Sequence, residues 1–229
     1  VRAFLTAFYF KTMVVLIACE ESQTICKEFR KLGHEAYSCD LQNCSGGHPE
    51  WHIKADVTTL LNDYFDLVIF HPTCKYITNS GVRWLYSEPE RFDKLNKACE
   101  FFNLRNKFNS PHVVTENPIP HKFAVNNDFN PIGKYNQIIQ PYQFGHLEKK
   151  ATCLWLKNLP KLIETKNVFL EMMQLPYKER SKIHYCSPGP EREKIRSKTY
   201  IGIAEAIAVQ YSNYIIGSYS HTDAIDLSN

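Results

Sequence analysis

Seven consecutive apolar residues, Met13-Val14-Val15-Leu16-Ile17-Ala18-Cys19, constrain the fold of this chain more than any other stretch. A strand with one wet face alternates apolar and polar positions. A run without alternation needs cover on both faces, as in a parallel sheet flanked by helices. The rest of the chain supplies that cover. Residues 20–32 predict a helix: Ser22 or Glu21 caps it, Ile25, Phe29 and Leu32 recur at helical spacing, and Gly33 ends it. Residues 34–40 predict a second strand ending in Asp40, and residues 51–57 a third short element that carries Asp56. A helical turn over 58–64 leads to a buried strand at Asp66–Phe70. Further on come a helix over 89–108 with Leu95, Ala98, Cys99 and Phe102 inward, a strand over 112–118 and a loop-rich stretch over 119–150. A strand over 151–156 and a helix over 202–214 that buries Ile203, Ala206 and Ile207 complete the series. This alternation predicts an α/β fold with a Rossmann-like, doubly wound sheet.

A chain of 229 residues fits one domain. Met13 directly precedes the first strand, so residues 1–12 read as an extension, 13–215 as the domain and 216–229 as a tail. Within the domain, 157–195 is polar and poorly periodic, interrupted by Pro160, Pro176, Pro188 and Pro190. A formal charge of +3 is too small to require a nucleic-acid partner and is compatible with one. Eight cysteines without a Cys-x-x-Cys pair argue against zinc-ribbon and thioredoxin sites, and several sit in apolar runs as small core residues. A reducing, cytoplasmic setting is expected. The histidines lack metal-ligand spacing, so no metal site is expected, and no apolar run is long enough for a transmembrane helix.

In open α/β sheets, ligands sit at the carboxyl ends of the strands. Two strands here end in reactive side chains: Asp66–Phe70 runs into His71-Pro72-Thr73-Cys74, and 112–115 into Glu116-Asn117-Pro118. A thiol held by a proline turn can serve as a nucleophile; the bland reading is a structural thiol. Acidic residues after the first three strands, Glu20, Asp40 and Asp56, suit a nucleoside cofactor, with Asp40 placed to accept from a ribose diol. The first turn, Ala18-Cys19-Glu20-Glu21-Ser22, contains no glycine. A pyrophosphate needs glycines for close backbone approach, which disfavours nicotinamide and flavin cofactors. S-adenosylmethionine carries no phosphate and escapes that requirement. Surface roles for Asp40 and Asp56 are the competing view.

In their order along the chain these pieces resemble the carbon-5 cytosine methyltransferases, and most closely their short phage-type relatives. Pro72-Thr73-Cys74 matches the Pro-Cys loop, Glu116-Asn117-Pro118 the Glu-Asn-Val strand end, and Arg196 to Ala208 the segment before the last helix. The resemblance spans residues 13–215. It implies S-adenosylmethionine as cofactor and Cys74 as the thiolate that adds to cytosine carbon 6. It implies further that Glu116 contacts the ring edge and that Asn117 holds the loop. Glu20, with Cys19 and Pro72 beside it, would contact the methionine part of the cofactor, Asp40 its ribose and Asp56 its adenine. Residues from Thr199 to Gly202 would form the rim. This sequence departs from the pattern at Thr73, at Pro118 and in the missing glycines.

Tyr76, Asn79, Arg83 and Trp84 follow the cysteine loop and could close over a base by stacking. Gln143, His146 and Lys150 form a polar cluster that could line a substrate pocket, or a structural turn. The implied partner is DNA, duplex or single-stranded, or a pyrimidine nucleotide. Lys157, Lys161, Lys166, Lys178, Arg180, Lys182, Arg192 and Lys194 give the reduced recognition segment 157–195 its basic character, which acidic neighbours partly cancel. Two further readings stay open. His71 to Cys74 can be read as a worn Asp-Pro-Pro-Tyr loop of an amino-methyltransferase without a covalent step. The chain can also be read as a non-catalytic nucleic-acid or nucleotide-binding module on a degenerate methyltransferase fold.

Overall fold

The apolar run forms β1 (Val14–Ala18), and its neighbours explain its composition. In this computed structural model, which describes residues 11–88, 90–187, 192 and 196–226, β1 pairs in parallel with β2 (Glu35–Asp40) and β4 (Leu67–Phe70). Val15 and Ile17 face Ile25, Phe29, Ile207 and Tyr211 on one side of the sheet. Leu16 and Ala18 face Phe65 and Phe108 on the other. Both faces are dry, as a strand without alternation demands.

Seven strands lie in the order β3-β2-β1-β4-β5-β7-β6, with β3 at His52–Lys54, β5 at His112–Pro118, β6 at Gln137–Ile139 and β7 at Thr152–Lys157. The first five are parallel, and β7 runs against both of its neighbours. This is a Rossmann-like, doubly wound sheet. Helices α1 (Thr24–Lys31) and α6 (Ile201–Asp226) cover one face. Helix α2 (Glu90–Phe102) covers the other through Leu95, Ala98, Cys99 and Phe102, packed on Cys153 and Trp155. Short helices α3 (Lys122–Val125), α4 (Phe169–Gln174) and α5 (Tyr177–Arg180) sit in connections.

Element boundaries depart from the sequence-based expectation for physical reasons. Helix α1 starts at Thr24 rather than at residue 20, because the chain first turns through left-handed Cys19 (φ 63°) and Gln23 (φ 56°). Neither Ser22 nor Glu21 caps it. Glu20 does so from the strand end, accepting from the Ile25 and Cys26 N–H groups at 2.8 and 3.3 Å. Helix α2 ends at Phe102 and passes into a 3₁₀ turn, Asn103–Asn106, and another 3₁₀ stretch occupies Asn79–Tyr86. Strand β6 lies inside the stretch expected to be loop, and the last helix continues to Asp226 instead of ending near residue 214. Residues 1–10, and 188–191 with 193–195 of the basic segment, lie outside the described residues. Among the described residues no helix is long and apolar enough to cross a membrane.

Candidate functional site

Strands β4 and β5 are adjacent and parallel, with Phe70 beside Thr115, so the chain segments that leave them emerge side by side. The Asn117 side chain is buried and its Nδ2 donates to the Pro72 carbonyl at 2.8 Å, which ties the end of β5 to the turn that carries Cys74. The Cys74 carbonyl in turn accepts from Thr78 Oγ1 at 3.1 Å and from the Ile77 and Thr78 N–H groups at 3.3 Å. The backbone around Cys74 is therefore fixed while the residue itself is exposed. Thr73, the residue that separates proline from cysteine, is exposed as well.

One register position away, Glu116 points to the opposite sheet face from Asn117. Its Oε2 lies 3.1 Å from His71 Nδ1, and both side chains are largely buried, at 17% and 13% exposure. An ionised carboxylate only accepts, so Nδ1 carries the proton of this pair. Burial pushes the Glu116 carboxyl up, but the His71 hydrogen bond and charge, Lys150 and Thr152 outweigh it and hold the group below the usual carboxylate range. Lys150 is the reverse case: burial pulls its ammonium down, against the charges of Glu116 and Cys74. A small pocket is lined by His71, Glu116, Lys150, Thr152, Thr199 and Tyr200. Glu116 and Lys150 thus share one pocket at the carboxyl edge of the sheet with Thr199, which precedes α6, and Lys150 is within electrostatic reach of Cys74.

The switch point of the sheet, where strand order reverses, lies between β1 and β4. Cys19 occupies the left-handed region at the first turn, a conformation usually left to glycine, and burial followed by the Asp40 charge pushes its thiol up. Glu20 is buried and spends its carboxylate on the α1 N–H groups. Burial raises its pKa against the opposing pull of His71 and those donors. Asp40 ends β2 half-exposed, one oxygen accepting from the Gln42 N–H at 2.9 Å. Asp56 is exposed and accepts from the Thr58 N–H and Oγ1 at 2.9 and 2.8 Å, which lowers its pKa. His71 Nε2 is buried without a partner, and Glu20 is near enough to feel the His71 charge. A half-exposed carboxylate for a diol and an orphaned imidazole nitrogen fit the polar ends of S-adenosylmethionine.

Other expected site residues are engaged in local structure. Gln143 Oε1 accepts from the Gln140 N–H at 2.7 Å, closing a turn. His146 Nε2 accepts from the Gly202 N–H at 3.0 Å and anchors the start of α6. A Cβ on Gly202 would meet the Phe144 carbonyl oxygen at 2.1 Å, so close packing accounts for that glycine. Tyr76 lies under the Arg91 guanidinium, and its carbonyl meets His121 Nε2 at 2.9 Å. Asn79 is exposed at the start of the 3₁₀ stretch, where Arg83 covers the Trp84 ring at 4.7 Å.

One residue not singled out as a site residue from the sequence, His71, touches Glu116; Thr152 touches it too, and Tyr200 from the expected Thr199–Gly202 rim lines the pocket. The position of His71, first residue after β4 and directly before a proline, was the available signal. Gln23, fully buried, clasps the 42–50 loop onto α1 by donating to the His48 carbonyl at 2.7 Å and accepting from its N–H at 3.1 Å.

No family model matches this chain, and no curated protein matches it. Among solved structures it is similar to an Escherichia coli protein provisionally assigned as a DNA modification methyltransferase and encoded within a prophage. That match has 16% identity and a TM-score of 0.44, and covers 72% of this chain and 56% of that one. It is also similar to an rRNA methylase from Escherichia coli, at 14% identity and a TM-score of 0.36, covering 65% and 58% of the two chains. The chain therefore spans somewhat over half the length of these structures.

Proposed function

We propose that this protein transfers a methyl group from S-adenosylmethionine to carbon 5 of a cytosine in DNA, through a covalent intermediate on Cys74. One observation carries the reading: an accessible thiol on a fixed turn lies within electrostatic reach of a partly buried ammonium that shares a pocket with a largely buried carboxylate at the carboxyl edge of the sheet. Bound at the switch point beside Glu20, Asp40, Asp56 and Pro72, the cofactor would supply an electrophilic methyl group.

Cytosine carbon 5 becomes nucleophilic only after a thiolate adds to carbon 6. In this reading Lys150 favours the Cys74 thiolate by its charge and Glu116 accepts from the exocyclic amine. Electrons pushed onto the ring by the new carbon–sulfur bond would let carbon 5 take the methyl group as its bond to the sulfonium sulfur breaks, the electron pair staying on that sulfur as a thioether. Loss of the carbon 5 proton to water and departure of the Cys74 thiolate would then restore the ring. Asn117 keeps the turn in place and His71 orients Glu116. A base in duplex DNA has to be flipped out of the stack to reach Cys74; one in single-stranded DNA does not.

The test is trapping on 5-fluorocytosine DNA with S-adenosylmethionine present. Wild-type protein should form a denaturant-stable adduct, and Cys74→Ser should form none while still binding the cofactor. Methylation by Cys74→Ser at the wild-type rate would refute covalent chemistry and favour the amino-methyltransferase reading. Absence of cofactor binding by the wild-type protein would refute methyl transfer altogether.

A further inference from the structure

Across the sheet from Glu116 lies a groove of different chemistry. It opens over β5 and β7, where Thr115 pairs with Trp155 and Val113 with Lys157, and Arg105 from the turn after α2 closes one side. Side chains alternate along a strand, so Thr115 faces away from the Glu116 pocket. The open volume is about 490 Å³, mouth included.

Three cationic side chains, Arg105, Lys134 and Lys157, line this groove, and among the described residues no carboxylate does. The Arg105 guanidinium packs on the rings of Phe102 and Trp155, at 4.7 and 5.8 Å, and its Nη2 donates to the Ile132 carbonyl at 2.6 Å. Its Nη1 is buried with no partner, and so is Oγ1 of the fully buried Thr115. Burial alone lowers the Arg105 pKa to about 10. Lys157 Nζ spends one donor on the Ser110 carbonyl at 2.9 Å, and Lys134 is exposed at the rim.

Leaving a buried donor unmade costs about 1–3 kcal/mol, more when it is charged. An acceptor-rich anion entering the groove would relieve that cost. Arginine's planar fork matches two oxygens of a tetrahedral oxyanion, and lysines add point charge around them. We propose that this groove binds a phosphate group. A free nucleotide and a nucleic-acid backbone present the same chemistry to it, and nothing in the assignment depends on methyl transfer.

Trp155 forms part of the wall and serves as the reporter. In a Trp51→Phe, Trp84→Phe background it is the sole tryptophan of the chain. Inorganic phosphate, titrated at constant ionic strength against chloride, should change its emission saturably. Lys134→Gln and Lys157→Gln, both at exposed positions, should each weaken binding about tenfold, with circular dichroism confirming the fold. Arg105→Lys should erase the preference for phosphate over chloride. No saturable change, or one that persists in the double lysine variant, would overturn the assignment. Competition then separates the sources. Displacement of phosphate by deoxycytidine monophosphate identifies a nucleotide site, and displacement only by oligodeoxythymidine identifies a backbone site. Equal displacement by unphosphorylated deoxycytidine would sink the proposal.

Discussion

A single amide shows how one residue couples stability to the site. Asn117 Nδ2 is the partner of the Pro72 carbonyl, and the pair is buried. Asn117→Ala leaves that carbonyl unsatisfied and should cost about 1–3 kcal/mol, read as a lower urea midpoint. Asn117→Asp keeps the size but sets an acceptor against an acceptor, so it should destabilise more than alanine. On the proposed function, both variants should lower kcat more than they raise KM for the cofactor, because the turn carrying Cys74 is loosened while Asp40 is untouched. His71 was hidden at this scale. Nothing in the sequence says that its ring meets Glu116 rather than solvent, since the two are brought together only by strand pairing.

At the scale of elements, the start of α6 is set by contact with a loop far away in sequence. Gly202 lets the helix approach the Phe144 carbonyl, and His146 accepts from its N–H. Gly202→Ala forces the helix off that loop. The expected loss is about 1–3 kcal/mol in denaturant unfolding, with a shifted pocket wall at Thr199 and Tyr200. An unchanged midpoint would show that the loop yields freely. Helix α1 is similarly governed from outside. Its cap was legible as a need but not as a residue, because Glu20 reaches it only after the chain turns through Cys19 and Gln23. Gln23→Ala removes both hydrogen bonds to His48 and should cost about 2 kcal/mol. Hydrogen exchange should locate the loosening in the 42–50 loop.

Across the whole molecule, three histidines, His34 and His121 buried and His146 half-buried, accept backbone N–H bonds. His34 Nδ1 accepts from Met13 at 3.4 Å while its Nε2 meets Ser212 of α6, His121 Nδ1 accepts from Ala124, and His146 Nε2 accepts from Gly202. Burial lowers the pKa of each. The unfolded chain, whose histidines titrate near 6.5, then binds more protons than the folded one below that pH. Their contribution is fully present above about pH 6.5 and is lost as the pH falls through the depressed folded values. Stability measured against pH should decline on that side, and His34→Gln should flatten the decline. Glu116, also depressed, contributes above the unfolded carboxylate pKa and is lost only at more acidic pH.

The sequence by itself determined the layers and the strand ends. Continuous apolar runs require helices on both faces, and proline-terminated runs deliver Cys74, Glu116 and Asn117 to one edge of a sheet, since hydrophobic burial and alternation act over a few residues. Tertiary structure alone decided which polar atoms meet: His71 with Glu116, Lys150 near Cys74, Glu20 with α1, and Gln143 and His146 with backbone rather than a pocket. His71 and Glu116, Lys150 and Cys74, and His146 and Gly202 lie dozens of positions apart, while Glu20 and Gln143 bond close in sequence; all depend on the tertiary path of the chain and on the need to satisfy buried polar groups. Neither constraint leaves a local trace in the chain.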